Sequence, residues 1–100
     1  MKSIHSKETD QLFQAILTLK NSEECYALFE DLCTVKELES MAQRLETAIQ
    51  LKAGKSYQAI YEEAGVSTAT ISRVSRCLNY GQGGYQMVIE RLAEMTEVIG

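Results

Sequence analysis

The 100-residue sequence contains no proline, a single histidine and three cysteines. Because the number of cysteines is odd and no two of them form a CxxC pair, a disulfide framework and a structural zinc site are not expected. No apolar run approaches the ~18 residues of a membrane span, and the polar start, MKSIHSKETD, is unlike a signal peptide. We therefore expect a soluble, cytoplasmic protein that binds neither metal nor membrane.

The absence of proline leaves only glycines and capping residues to interrupt helices. Six glycines are present, three of them within a predicted loop at residues 81–84. Apolar residues make up 45% of the chain, enough for a core, and the length fits one domain over residues 1–100. A chain this short buries only ~60–70% of its extended surface, so association with a second copy would stabilise it.

Apolar residues recur at helical spacing in four stretches. The stripes lie within residues 8–20, 25–32 and 38–49, and a last one runs from Tyr85 to Ile99. With two further short helices between the third and the last, they predict an all-α fold of about six helices. Three successive apolar stripes are more than a monomer of this size easily buries, which predicts a homodimer whose first helices pack against the partner.

Polar residues mark the ends of the first three helices. Asn21-Ser22 closes the first helix, and Ser22 is placed to cap the second. Thr34 and Glu37 have the spacing of a capping box at the start of the third helix, and Gly54 ends it.

Residues 56–79 predict a helix-turn-helix. Ser56 can cap a short helix that ends near Ala64, and Gly65 can turn the chain in the left-handed region. Ser67 can then cap a second helix that begins at Thr68. The apolar residues that could lock the two helices together are Ile60, Val66, Ile71 and Val74.

The second of these helices has two unlike faces. At ~100° per residue, Ile71, Val74 and Leu78 fall on one side. The far side carries Ala69, Ser72, Arg73, Arg76 and Tyr80. Small hydroxyl residues followed by arginines, with no carboxylate in the first turn, suit a helix that reads the major groove.

The distribution of charge agrees with a local DNA-binding region in an acidic chain. Residues 51–80 have a balance of +2, whereas residues 1–50 have −4 and residues 81–100 have −2. Repulsion of phosphate is therefore weakest around the helix-turn-helix.

From about Asp31 to Asn79 the sequence resembles the Trp repressor family, and specifically its small bacterial Trp-repressor-like members of unassigned ligand. The segments that match are Thr34-Val35-Lys36-Glu37-Leu38-Glu39, Gln43-Arg44-Leu45 and Ala69-Thr70-Ile71-Ser72-Arg73. The resemblance implies an interlaced homodimer that regulates transcription as a repressor. Such a dimer presents two helix-turn-helix units, its reading heads, to double-stranded DNA. The residues expected to contact DNA are Ser56, Tyr57, Gln58, Tyr61, Ser67, Thr68, Ala69, Ser72, Arg73 and Arg76.

The resemblance also implies a pocket for a small-molecule corepressor. Arg44 occupies the position whose guanidinium covers one face of the corepressor's ring, and Arg73 matches the residue that covers the other face and meets the carboxylate. Thr34 and Thr70 match threonines that line the same pocket.

Three departures from the family pattern bear on its ligand and its DNA contacts. Val74 stands in place of a glycine that lies against the ligand, and its γ-methyl groups would occupy space that the ring needs. Cys77 replaces a serine that binds the ligand's ammonium group, and a thiol is a weaker partner. The departures at Val74 and Cys77 predict that tryptophan is not the effector. Tyr57, Gln58 and Tyr61 replace a more basic surface that contacts phosphate, although tyrosine hydroxyls can still do so.

Other functions are less well supported by the residues. The adjacent pair Glu62-Glu63 points ~100° apart on a helix and His5 has no nucleophile nearby, so we expect no catalytic residues and no enzyme. Cys25, Cys33 and Cys77 could form a thiol sensor, although the first two share an apolar stripe that favours core packing. The remaining alternative is a non-catalytic helical module that kept the fold but binds protein instead of DNA.

Overall fold

The computed structural model describes residues 3–99 of the chain and the side chains of residues 3–95. These residues form six α-helices and no strand, which confirms the predicted all-α fold. The helices are α1 (Lys7–Ile16), α2 (Ser22–Leu32), α3 (Val35–Lys52), α4 (Tyr57–Ala64), α5 (Thr68–Tyr80) and α6 (Gly84–Ile99). Within this part of the chain no helix has the length and apolar character that a membrane span requires.

Side-chain caps fix where these helices begin. The capping side chains of α1, α2, α4 and α5 each accept a hydrogen bond from a backbone N–H three residues further on, and they belong to Ser6, Asn21, Ser56 and Ser67.

The predicted capping box at the start of α3 is confirmed. The Thr34 N–H donates to Glu37 Oε1 at 2.8 Å, and the Glu37 N–H donates to Thr34 Oγ1 at 3.1 Å. The bond from the Thr34 backbone holds the pKa of Glu37 below its ordinary value, because it favours the charged carboxylate.

Two helix ends near the N-terminus differ from the prediction. α1 stops at Ile16 rather than continuing to residue 20. The Thr18 hydroxyl and the Thr18 N–H both donate to the carbonyl oxygen of Ala15, at 2.6 and 3.1 Å, so a turn replaces the next helical bond. α2 is capped by Asn21 and contains Ser22 as its first residue, because the Asn21 side chain accepts from the first turn at 2.9 Å.

The described residues group into two compact units, divided between Leu38 and Glu39 inside α3. The first unit contains α1 and α2, and none of its described residues is buried. Six of its large apolar side chains are about half-exposed or more, and Leu17 is 78% exposed. An apolar surface of this kind on a small chain is typical of an interaction surface. The homodimer and the single domain over residues 1–100 stay predictions.

The core of the described structure lies in the second unit. Ile60, Val66 and Ile71 are buried against one another, and Leu51 of α3 packs against them. This cluster fixes α4 and α5 on the end of α3. Truncating a buried aliphatic side chain of this kind to alanine typically costs ~2–5 kcal/mol, so the cluster is a main source of the unit's stability.

α4 and α5 form the predicted helix-turn-helix. α4 ends at Gly65, whose φ of +66° lies in the left-handed region, and the Gly65 N–H donates to the carbonyl oxygen of Tyr61 at 3.0 Å. Val66 follows in the core, and Ser67 caps α5. Glycine is required at this turn because other residues adopt a positive φ only at a cost. Beyond α5, α6 begins at Gly84, inside the stretch predicted as a loop.

Candidate nucleic-acid interface

α5 has one buried face and one exposed face. Ile71, Val74 and Leu78 are buried, as the helical spacing predicts. The opposite side, which we call the reading face, consists of exposed residues, namely Ala69, Ser72, Arg73, Arg76 and Tyr80. Tyr80 is 87% exposed at the last position of the helix. The core therefore holds α5 by one side and leaves the other side to solvent along its whole length.

The first turn of α5 is neutral and carries hydroxyl groups. The Ser67 hydroxyl accepts from the Thr70 N–H at 3.2 Å and donates to Thr70 Oγ1 at 3.0 Å, so the cap occupies both side chains. Thr68 and Ala69 are exposed beside them. Because this turn contains no acidic residue, the positive end of the helix dipole is left to attract an anionic partner.

Arg73 and Arg76 supply the positive charge of the reading face. Both ion pairs found among the described residues belong to lysines outside α5, so neither arginine has a carboxylate partner there. An exposed guanidinium without such a partner keeps its planar set of donors for an incoming acceptor. That geometry matches both phosphate and the O6/N7 edge of guanine.

α4 offers a different chemistry from the reading face. Tyr57 and Tyr61 are exposed, and their hydroxyl groups can donate to phosphate. The Ser56 hydroxyl is occupied by the cap, and Gln58 Nε2 donates to Glu62 Oε1 at 2.7 Å. The carboxylate beside Gln58 would repel a phosphate, so α4 has donors but little positive charge.

The six residues predicted for a corepressor pocket lie in unlike environments. In the first unit, the Thr34 hydroxyl accepts the α3 capping bond. In the second unit, Arg44 and Thr70 are half-buried, Arg73 and Cys77 are exposed, and Val74 is 1% exposed. The Val74 side chain belongs to the buried face of α5, so the γ-methyl groups already occupy interior space.

The second unit contains a groove of about 570 Å³ that sequence reasoning did not predict. We call it the rear groove. From the α3–α4 region it is lined by Leu51, Lys52, Lys55 and Tyr57. From α5 and α6 it is lined by Ser75, Leu78, Asn79 and Gln86. None of the six residues predicted for the corepressor pocket lines it. Because its lining comes from three separate stretches of chain, no local pattern in the sequence could reveal it.

The cysteines differ in part from the expectation of core packing. Cys25 and Cys77 are exposed and Cys33 is half-buried, and all three are free thiols. Core packing of Cys25 is therefore wrong for the single chain, because no residue of α2 is buried.

Comparison with known proteins places this geometry in a family. The family model described as Trp repressor protein matches residues 7–93. The uncharacterised protein YerC of Bacillus subtilis (strain 168) is 56% identical over 91 residues, which cover 91% of this chain and 88% of YerC. A TrpR-like protein from Eubacterium eligens superposes with a TM-score of 0.86 at 51% identity, covering 90% of this chain and 93% of that one. A Staphylococcus aureus protein described as a candidate Trp repressor also gives a TM-score of 0.86, at 50% identity and 90% coverage of both chains.

Proposed function

The chain belongs to the Trp repressor family, and on this premise we propose that it is a sequence-specific DNA-binding regulator of bacterial transcription, acting as a repressor. The observation that carries the proposal is the reading face of α5. It pairs two arginines that lack carboxylate partners with a buried opposite side. A non-catalytic role in the cytoplasm follows from this function.

The residues divide into two roles on this proposal. One group would contact bases or the adjacent phosphates. It lies at the start of α5 and along the exposed side of that helix, and consists of Ser67, Thr68, Ala69, Ser72, Arg73 and Arg76. Residues of α4 would contact the backbone and set the register, and they are Ser56, Tyr57, Gln58 and Tyr61. Contacts to phosphate position a protein on the duplex, whereas contacts to base edges give sequence preference.

The unburied apolar surface of the first unit supports a homodimer as the DNA-binding form. A two-fold dimer with two reading heads prefers two half-sites about one helical turn apart. Selection of bound fragments from random duplex DNA, followed by footprinting, tests this directly. We expect a paired, inverted site. A footprint that covers a single half-site would contradict the dimeric form.

Free tryptophan is not the effector on this proposal. Val74 is buried on α5 and Cys77 presents a thiol, so neither the ring nor the ammonium group of tryptophan has its expected partner. The same selection, repeated with and without cell metabolites, shows whether a different small molecule acts as corepressor.

A protein-interaction module is the second candidate, and α4 is the feature that favours it. Exposed tyrosines next to a carboxylate, with little positive charge, suit a protein partner better than a phosphate backbone. The two candidates differ in salt dependence, because only neutralisation of phosphates gives a steep loss of affinity with salt.

A further inference from the structure

We propose that the rear groove is a binding site for a small organic anion, a molecule that combines a carboxylate or phosphate group with a compact apolar part. Its volume of about 570 Å³ suits such a molecule, since small-molecule sites span ~300–1,000 Å³. The groove lies wholly within the second unit.

The lining of the groove has the composition that such a ligand needs. Leu51 is half-buried and Leu78 is 8% exposed, which gives the apolar part a small surface to cover. Lys52 and Lys55 supply two ammonium groups. No acidic residue lines the groove, although acidic residues outnumber basic ones by 14 to 10 in the chain. An anion is therefore the charge class that the lining favours.

The carboxylate partners of the two lysines are exposed. Lys52 Nζ lies 3.7 Å from Glu90 Oε1 and also donates to Gln86 Oε1, and Lys55 Nζ donates to Glu63 Oε2. Exposed ion pairs add little to stability, so a ligand anion can replace these carboxylates without a large loss. The side chain of Glu90 is 68% exposed and can turn into water.

The polar wall of the groove is formed before any ligand arrives. Asn79 Nδ2 donates to the Ser75 carbonyl oxygen at 2.9 Å, and Gln86 Nε2 donates to the Leu78 carbonyl oxygen at 3.2 Å. These bonds fix both amides against the backbone of α5. A wall that is already ordered reduces the entropy lost when a ligand binds.

The α5 residues of the groove face away from Arg73, with Asn79 next to the Ser72 edge of the reading face. At ~100° per residue, Ser75, Leu78 and Asn79 lie ~120–160° around the helix axis from Arg73, whereas Arg76 and Tyr80 fall within ~60° of it. An anion in the rear groove therefore does not cover Arg73, although the groove shares Tyr57 with the residues proposed to contact the DNA backbone. Because the groove also touches Tyr57, the first residue of α4, its ligand contacts both helices of the motif.

Benzoate is a suitable probe, with benzamide as the neutral molecule of the same shape. Two-dimensional amide NMR spectra of the full chain, without DNA, report which residues each probe touches. We expect benzoate to shift the signals of Ser75, Asn79 and Gln86. Benzoate should bind at least about tenfold more tightly than benzamide, the value of one charge-assisted hydrogen bond.

Two variants separate a site from a general charge effect. The double substitution Lys52→Gln/Lys55→Gln should weaken benzoate binding about tenfold or more. The control, Lys20→Gln/Lys36→Gln in the first unit, removes the same charge and should leave it unchanged. Glu90→Gln should strengthen benzoate binding, because it removes the competing carboxylate. The proposal would be overturned if benzoate bound the Lys52/Lys55 variant as tightly as the wild type. It would also be overturned if the NMR shifts caused by benzoate were confined to the reading face.

A regulatory role for this site rests on the proposed DNA-binding function, whereas the binding test does not. Saturating benzoate, at constant ionic strength, should change the DNA affinity of the wild-type chain by about fivefold or more, as coupled sites typically do. An unchanged affinity would overturn the regulatory role alone. Strictly competitive displacement of benzoate by duplex DNA, with no complex that holds both at saturation, would show that the groove holds a backbone phosphate, and would overturn the proposal of a separate site.

Discussion

At the scale of single residues, Arg76 is the side chain that best separates DNA reading from folding. It is exposed on the reading face and takes part in no ion pair among the described residues, so its removal leaves the core intact. Arg76→Ala should weaken DNA binding by ~1–3 kcal/mol and relax one position of specificity if the contact is to a base. If the contact is to phosphate, all sequences should weaken alike. Fluorescence anisotropy with labelled duplexes measures both.

The matched control for Arg76 is Arg91→Ala, which removes one positive charge from an exposed position on α6. Its DNA affinity should stay close to that of the wild type. Equal losses in the two variants would mean that total charge, and not the reading face, determines the affinity.

On the proposed function, Val74 and Cys77 are the residues expected to set the response to tryptophan. Overpacking typically costs ~1–3 kcal/mol, and a lost hydrogen bond to a charged group costs ~1.5–3 kcal/mol. Calorimetry should therefore show tryptophan binding two to four orders of magnitude weaker than a fitted site allows, at ~1.4 kcal/mol per tenfold. Val74→Gly/Cys77→Ser should restore binding. A micromolar dissociation constant for the wild type would contradict this interpretation.

At the scale of elements, the turn between α4 and α5 depends on one backbone conformation. Gly65 has a φ of +66°, so Gly65→Ala should lower the free energy of unfolding by ~1 kcal/mol or more. Gly84→Ala is the control, because Gly84 begins α6 without a positive φ and with open space around it. Chemical denaturation of the two variants measures the difference. An equal effect at both positions would contradict the role assigned to Gly65.

Helix starts could be predicted from the sequence where a single side chain decides them. Ser56, Ser67 and the Thr34–Glu37 pair all cap as predicted, because each bond spans only three residues. The end of α1 was missed because the Thr18 hydroxyl competes for a helical carbonyl, which apolar spacing does not register.

The inward face of α5 was predicted because helix periodicity alone determines it. The rear groove was not, because residues from Leu51 to Gln86 meet there only in three dimensions.

At the scale of the whole molecule, the first unit determines the expected oligomeric state. Sedimentation at micromolar concentration should give a particle of about twice the 11.2 kDa of one chain. Phe13→Asp should produce monomers, because Phe13 is an exposed apolar residue of α1 that a partner would cover. Gln14→Asp, on the same helix, should leave the dimer intact. A folded wild-type monomer would contradict the dimer.

DNA binding by an acidic chain depends on where its few positive charges lie. The net charge is −4, yet residues 51–80 carry a balance of +2 and include both arginines of the reading face. Binding should therefore be local, and salt should weaken it in proportion to the number of phosphates that the protein neutralises.

The affinity of the wild-type chain for a selected duplex, measured across a range of salt concentrations, tests the DNA-binding function most directly. Two reading heads that together neutralise about four phosphates should give a slope of about −3.6 in log affinity against log salt. A slope near zero, or no binding to any selected duplex, would contradict a DNA-binding function and favour a protein partner.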